Sequence, residues 1–250
     1  MMLLPRFYAR LCARRAERTL TGERIGQNYC HFMDCTPDRM PQDFLRQTIY
    51  EQSGFGFIEQ IMPPTAWPKT LRGDLRQRVA AFCEQSALFS QRRTLLLTLQ
   101  WSGLGVMLEA LMAVAPPGIR FRFITRHPVL LKLRDAFPDR RAASPFAADA
   151  SQITVLLVDE RLPEAPLFPA QVDKHRLWLT DVPTAALARH GYDIRTLVPE
   201  RSLHDPDFGL HSHRYPASDY RLAATETLGA VRNTPALWSA WDSLSVLYHG

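Results

Sequence analysis

Lysine is almost missing from this chain: of 30 basic residues only Lys69, Lys132 and Lys174 are lysine, and the rest are arginine. A lysine-dependent phosphate loop is excluded with it, because no G-x-x-x-x-G-K-[ST] sequence occurs and no lysine stands near the turn Trp101–Gly105. Cysteine is scarce as well. Cys12, Cys30, Cys35 and Cys83 all fall in the first third of a chain too large to need covalent staples, which favours reduced thiols over a disulfide framework. No stretch approaches the roughly 18–20 consecutive apolar residues of a membrane span. The opening MMLLPRFYARLCARRAER has too short an apolar run, in the wrong order, for a secretory signal, so a cytoplasmic protein is expected. G-x-S-x-G, H-E-x-x-H and the kinase motifs do not occur, and neither does an internal repeat.

What is present is an ordinary globular composition, 46% hydrophobic over 250 residues, enough to bury a full-sized core. The net charge of +5 is unevenly placed. Residues 1–92 carry 13 basic and 9 acidic side chains, whereas residues 151–250 carry 9 and 12. The arginine bias invites a phosphate or nucleic-acid reading, but accompanied by abundant Ala, Leu and Pro it reflects coding composition, and nucleic acid is not expected as a partner.

The run from Arg93 to Glu160 alternates strand-length apolar stretches with amphipathic ones. Thr94–Gln100, Ile119–Thr125 and Ile153–Asp159 are candidate strands, with helical stretches at Gly105–Ala115 and Val129–Phe137 between them. Arg176–Thr180 and Ile194–Val198 continue the rhythm. Near-continuous apolar strands joined by helical crossovers predict a Rossmann-like α/β fold with a mainly parallel sheet of about five strands, covering residues 93–250. The front half predicts a helical N-terminal region, residues 1–92. There Pro41–Glu51 reads as a helix broken by Ser53–Phe57, and Thr70–Phe89 as a longer one; Ala217–Val231 and Ala236–Tyr248 read as closing helices.

In such sheets ligands sit beyond the carboxyl ends of the strands. The turn Ser102–Gly103–Leu104–Gly105 is the place for a backbone phosphate cradle, with Arg126 and His127 at the next strand tip and Asp159 at the third. A dinucleotide fingerprint is incomplete: a third glycine is missing, and no acid closes the second strand to hold a ribose. His204, Asp205, Asp207, His211 and His213 concentrate metal-ligating types in one loop. Their spacing fits no recognised ligand geometry, so no metal and no cofactor are expected. Cys30, His31 and Cys35 lack a second thiol pair at a zinc spacing.

The first segment is a cationic amphipathic helix, with Leu4, Phe7 and Leu11 on one stripe and Arg6, Arg10, Arg14 and Arg18 on another. Two functions are compatible with these features. The first is a noncatalytic Rossmann-like component or adaptor of a larger bacterial assembly, docking a protein partner through its basic front with Leu4, Arg6, Phe7, Arg10, Leu11 and Arg14. The alternative is a transferase acting on a phosphorylated or nucleotide-like ligand, an anionic small molecule held by Ser102, Gly103, Gly105, Arg126, His127, Asp159, His204 and His211.

Overall fold

The computed structural model describes residues 3–15, 18–70, 74–90, 93–124, 128–141, 152–157, 191–205, 207–239 and 241. Four helices come first: α1 (Leu3–Arg15), α2 (Leu20–Met33), α3 (Phe44–Ile61) and α4 (Leu75–Gln85). Then follow β1 (Arg93–Leu97), α5 (Leu104–Val114), β2 (Ile119–Ile124), α6 (Pro128–Ala136), β3 (Gln152–Leu157) and β4 (Asp193–Thr196). Three short strands and a helix close the chain: β5 (Val198–Pro199), β6 (Leu210–His211), β7 (Arg214–Pro216) and α7 (Tyr220–Asn233).

The Rossmann-like expectation does not hold. Helices dominate the described residues, and the strands are only two to six residues long. The main sheet is mixed, in the order β2-β3-β1-β4-β7, with β7 antiparallel at one edge, and β5 and β6 form a separate antiparallel ribbon. The runs at 94–100, 119–125 and 153–159 do contribute neighbouring parallel strands, but β3 is inserted between β1 and β2, which a Rossmann order would place side by side. Alternating apolar runs count the crossovers; they leave open which strand edges meet once the helices pack. The strand expected at Arg176–Thr180 lies outside the described residues.

β1 explains why its sequence is a continuous apolar run. Leu95, Leu97 and Leu99 enter one buried cluster with Ile25, Tyr29, Phe44 and Trp241, while Leu96 enters the other with α5 and α6. Both clusters therefore draw on residues from either side of position 92. Helix α3 contributes Phe44 and Ile49 to the first and Phe55 and Ile58 to the second, and its second half lies against the turn that follows β1.

Three local expectations are corrected. Helix α3 runs straight through Ser53–Phe57, because each interior glycine costs about 1 kcal/mol of propensity, whereas burying Phe55 and Ile58 each contributes about 1.5–3 kcal/mol. The helix expected over Thr70–Phe89 is confined to Leu75–Gln85, started by Asp74, whose side chain accepts the N–H of Gln77 at 3.1 Å. The helix expected from Ala236 is instead a single 3-10 turn, Pro235–Leu237, followed by extended backbone at Trp238; residues 242–250 lie outside the described ones. Trp238 and Trp241 mimic a helical period, but they pack on each other at 4.6 Å and against Phe32.

Candidate functional site

Two surfaces carry unspent chemistry, and helix α3 belongs to both. The first is α1. Small side chains carry part of its contact with α3: Pro5 and Ala9 are buried, and a Cβ placed on Gly54 would meet the Ala9 methyl at 3.4 Å. Tyr8 stacks obliquely on Phe57, the ring centroids 5.4 Å apart. Other large side chains of α1 are left exposed: Leu4 is 61% exposed, Phe7 67% and Leu11 42%, and Tyr8 remains 44% exposed beside Phe57. An amphipathic surface helix ordinarily buries such a stripe. Here the chain buries Pro5 and Ala9 and leaves Leu4, Phe7 and Leu11 uncovered.

Arg10 and Arg14 flank that stripe in solvent, as does Arg18 just beyond the helix. Arg6 is half-buried and close enough to His204 to oppose its protonation. Ile61, the last residue of α3, is also exposed.

The second surface is a cleft of about 150 Å³ between α3 and the turn 100–105, beyond the carboxyl end of β1. Gly103 has a φ of +86°, which glycine alone adopts freely, and a Cβ there would lie 2.7 Å from Leu203 and 2.9 Å from Phe55. The N-terminus of α5 opens here, as the sequence suggests. It already holds an anion: a carboxylate oxygen of Glu59 accepts the N–H of Val106 at 3.2 Å and bonds the N–H of Gly105. A Cβ on Gly105 would come within 2.7 Å of that same oxygen, so the glycine is needed for the approach of Glu59. Burial pushes the Glu59 carboxyl up to about 7, against the lowering effect of the two N–H groups.

Lys132 on α6 closes this corner, donating to the carbonyls of Glu59, Gln60 and Met62 at 3.3, 3.4 and 2.8 Å. It thereby satisfies the last turn of α3. A second buried acid lies on the same helix. Glu51 accepts the Ser202 hydroxyl at 2.8 Å, and burial lifts its carboxyl to about 7.

The residues singled out from the sequence do not converge. Ser102, Gly103 and Gly105 are at the cleft, whereas Arg126, His127 and Asp159 lie outside the described residues. His204 is packed flat on Phe55, centroids 4.4 Å apart, and burial depresses its imidazole to about 4. His211 is at the surface with His213, their rings 4.2 Å apart, near Glu200 and Glu226. Among the described residues no three potential ligands are arranged to hold a metal ion. Cys30 and Cys35 close α2, and burial together with the neighbouring Cys35 thiol raises the Cys30 thiol above its usual range, the opposite of what a reactive thiolate needs.

Glu59 and Glu51 are the site residues that the sequence reading passes over. A Glu inside FGFIEQI looks like the solvent face of a helix, and only the arrival of α5 buries it. Neither a protein-family model nor a curated protein matches this sequence.

Proposed function

We propose that this chain is a noncatalytic docking component of a larger protein assembly, and that α1 is its docking face. The observation that carries this reading is the exposure of Leu4, Phe7 and Leu11 on a helix whose own contact with α3 uses Pro5, Tyr8 and Ala9. Exposed apolar side chains in a contiguous stripe, rimmed by charge, mark interaction surfaces. Arg10 and Arg14 beside the stripe favour a protein partner that offers an apolar groove with acidic edges, the arginines setting encounter rate and the stripe supplying residence time. Among the described residues no helix is long and apolar enough to cross a membrane; a cytoplasmic setting belongs to the same proposal.

The test compares the wild-type chain with a Leu4→Ser, Phe7→Ser, Leu11→Ser variant, each isolated from the native cell with whatever it binds. One stoichiometric protein partner, present with wild type and lost from a variant that melts at the same temperature, supports the reading. Flotation of the wild type with anionic vesicles in place of a protein complex would replace it with membrane-surface docking.

A second reading, a small-molecule enzyme working at the strand tips, is supported by the cleft itself, a concave site holding a carboxyl of perturbed acidity. Its phosphorylated-ligand form is weakened by Glu59, which fills the anion position at the start of α5.

A further inference from the structure

Two of the polar side chains that line the cleft have their donors committed to the protein. Gln52 donates its amide to the carbonyls of Trp238 and Ser239 at 3.4 and 3.3 Å, and Ser239 donates its hydroxyl to the carbonyl of Gln100 at 2.8 Å. The donors on these two lining side chains are therefore spent inside the protein, and what they retain is acceptor capacity: the Gln52 amide oxygen and the Ser239 hydroxyl lone pairs. Ser102, a lining residue only 4% exposed, adds a buried hydroxyl that has no hydrogen-bond partner among the described residues. Glu59 adds a carboxyl.

No lysine or arginine lines the cleft among the described residues. The closest ammonium, Lys132, is committed to three backbone carbonyls and lies over the Trp67 ring, 5.9 Å from its centroid. No described cationic side chain pairs with the Glu59 carboxyl, whose charge is met only by two N–H groups at a helix end worth about half an elementary charge. The ring of Phe55 and the side chain of Trp101 form apolar walls. A site with uncommitted acceptors and a carboxyl that has no cationic partner, bounded by aromatics, suits a ligand that brings donors, a positive charge to hold that carboxyl ionised, and a short apolar body.

We infer that this cleft binds a small organic ammonium ion, with the Glu59 carboxylate as its counter-ion and Gln52, Ser102 and Ser239 accepting its N–H groups. The site lies beyond the end of β1, the strand flanked by β3 on one side and β4 on the other, where crossovers leave in opposite directions and a crevice opens. This inference is independent of α1 and of the docking reading.

Calorimetric titration of the whole chain with 1,4-diaminobutane tests it, with inorganic phosphate and glucose as controls. The expected result is saturable one-to-one binding of the diamine and no heat from either control. Glu59→Gln keeps an acceptor for Val106 but removes the charge, and should weaken binding by about 10- to 100-fold, the loss of one charge-assisted contact. Gly56→Leu is the second variant. Gly56 lines the cleft and a Cβ there meets nothing within 4 Å, so the backbone admits a side chain, and a leucine competing with the ligand for that space should weaken binding at least 10-fold with the melting temperature unchanged. No saturable heat with the diamine overturns the inference, and so does binding that both variants leave intact. Saturable binding of phosphate or glucose in place of the diamine overturns it as well.

Discussion

The carboxylate of Glu59, on a helix from the front of the chain, caps the first turn of α5 by accepting the Val106 N–H at 3.2 Å. Forty-seven residues apart in sequence, the two groups join the helical region to the strand-tip turn and occupy, from within, the place where an anionic ligand would bind. The approach depends on Gly105. Gly105→Val is expected to displace Glu59, because the new side chain would start 2.7 Å from its carboxylate and 2.9 Å from Val129. Overpacking of this kind costs about 1–3 kcal/mol, read as a lowered midpoint in urea unfolding.

The two faces of α1 should respond in opposite ways to mutation. Leu4→Ser, Phe7→Ser and Leu11→Ser alter exposed side chains, so each should change stability by no more than about 0.5 kcal/mol. Ala9→Leu, by contrast, enlarges a buried methyl that faces Gly54, and should cost about 1–3 kcal/mol and detach α1 from α3. Thermal melts of the four variants check both halves; a large loss from the Leu4, Phe7 and Leu11 changes would place their stripe in the protein's own core.

Stability should rise on mild acidification. Glu51 and Glu59 have folded-state values near 7 against an ordinary 4.5, so between those limits the native state binds more protons than the unfolded one and is favoured as pH falls. From pH 8 to pH 5.5 each contributes about 2 kcal/mol by this linkage. His204 works the other way, since it stays neutral in the fold down to about pH 4 while the unfolded chain charges below its ordinary 6.5, removing about 1 kcal/mol over the same window. The net expectation is a melting temperature several degrees higher at pH 5.5 than at pH 8. In a Glu51→Gln, Glu59→Gln double variant the slope should vanish or reverse.

His204 is packed on Phe55 with its Nδ1 atom buried and lacking a partner among the described residues. An apolar ring in its place loses no hydrogen bond at that atom and removes a desolvation cost of about 1–3 kcal/mol. His204→Phe should therefore leave the protein at least as stable at pH 7 and more stable than wild type at pH 5, which differential scanning calorimetry at the two values would measure. Destabilisation at both would assign the imidazole a partner.

How far the sequence carries depends on the range of the interaction. The apolar runs at Leu95–Leu97 and Ile119–Ile124 and the helix at Leu104–Val114 are legible because a local period reports a local conformation. The amphipathic stripes of α1 are legible for the same reason. Strand order is not, because which edges pair is decided after the helices pack, and the insertion of β3 between β1 and β2 leaves no trace in the spacing. The side of α1 that faces inward is not legible either: Ala9 packs where Gly54 allows a close approach, while Leu4, Phe7 and Leu11 stay exposed. Glu59 marks the limit most clearly. Its charge and helical position are written in the chain, but its burial, its raised acidity and its hold on α5 exist only where two distant segments meet, because desolvation belongs to the assembled surroundings and not to the residue.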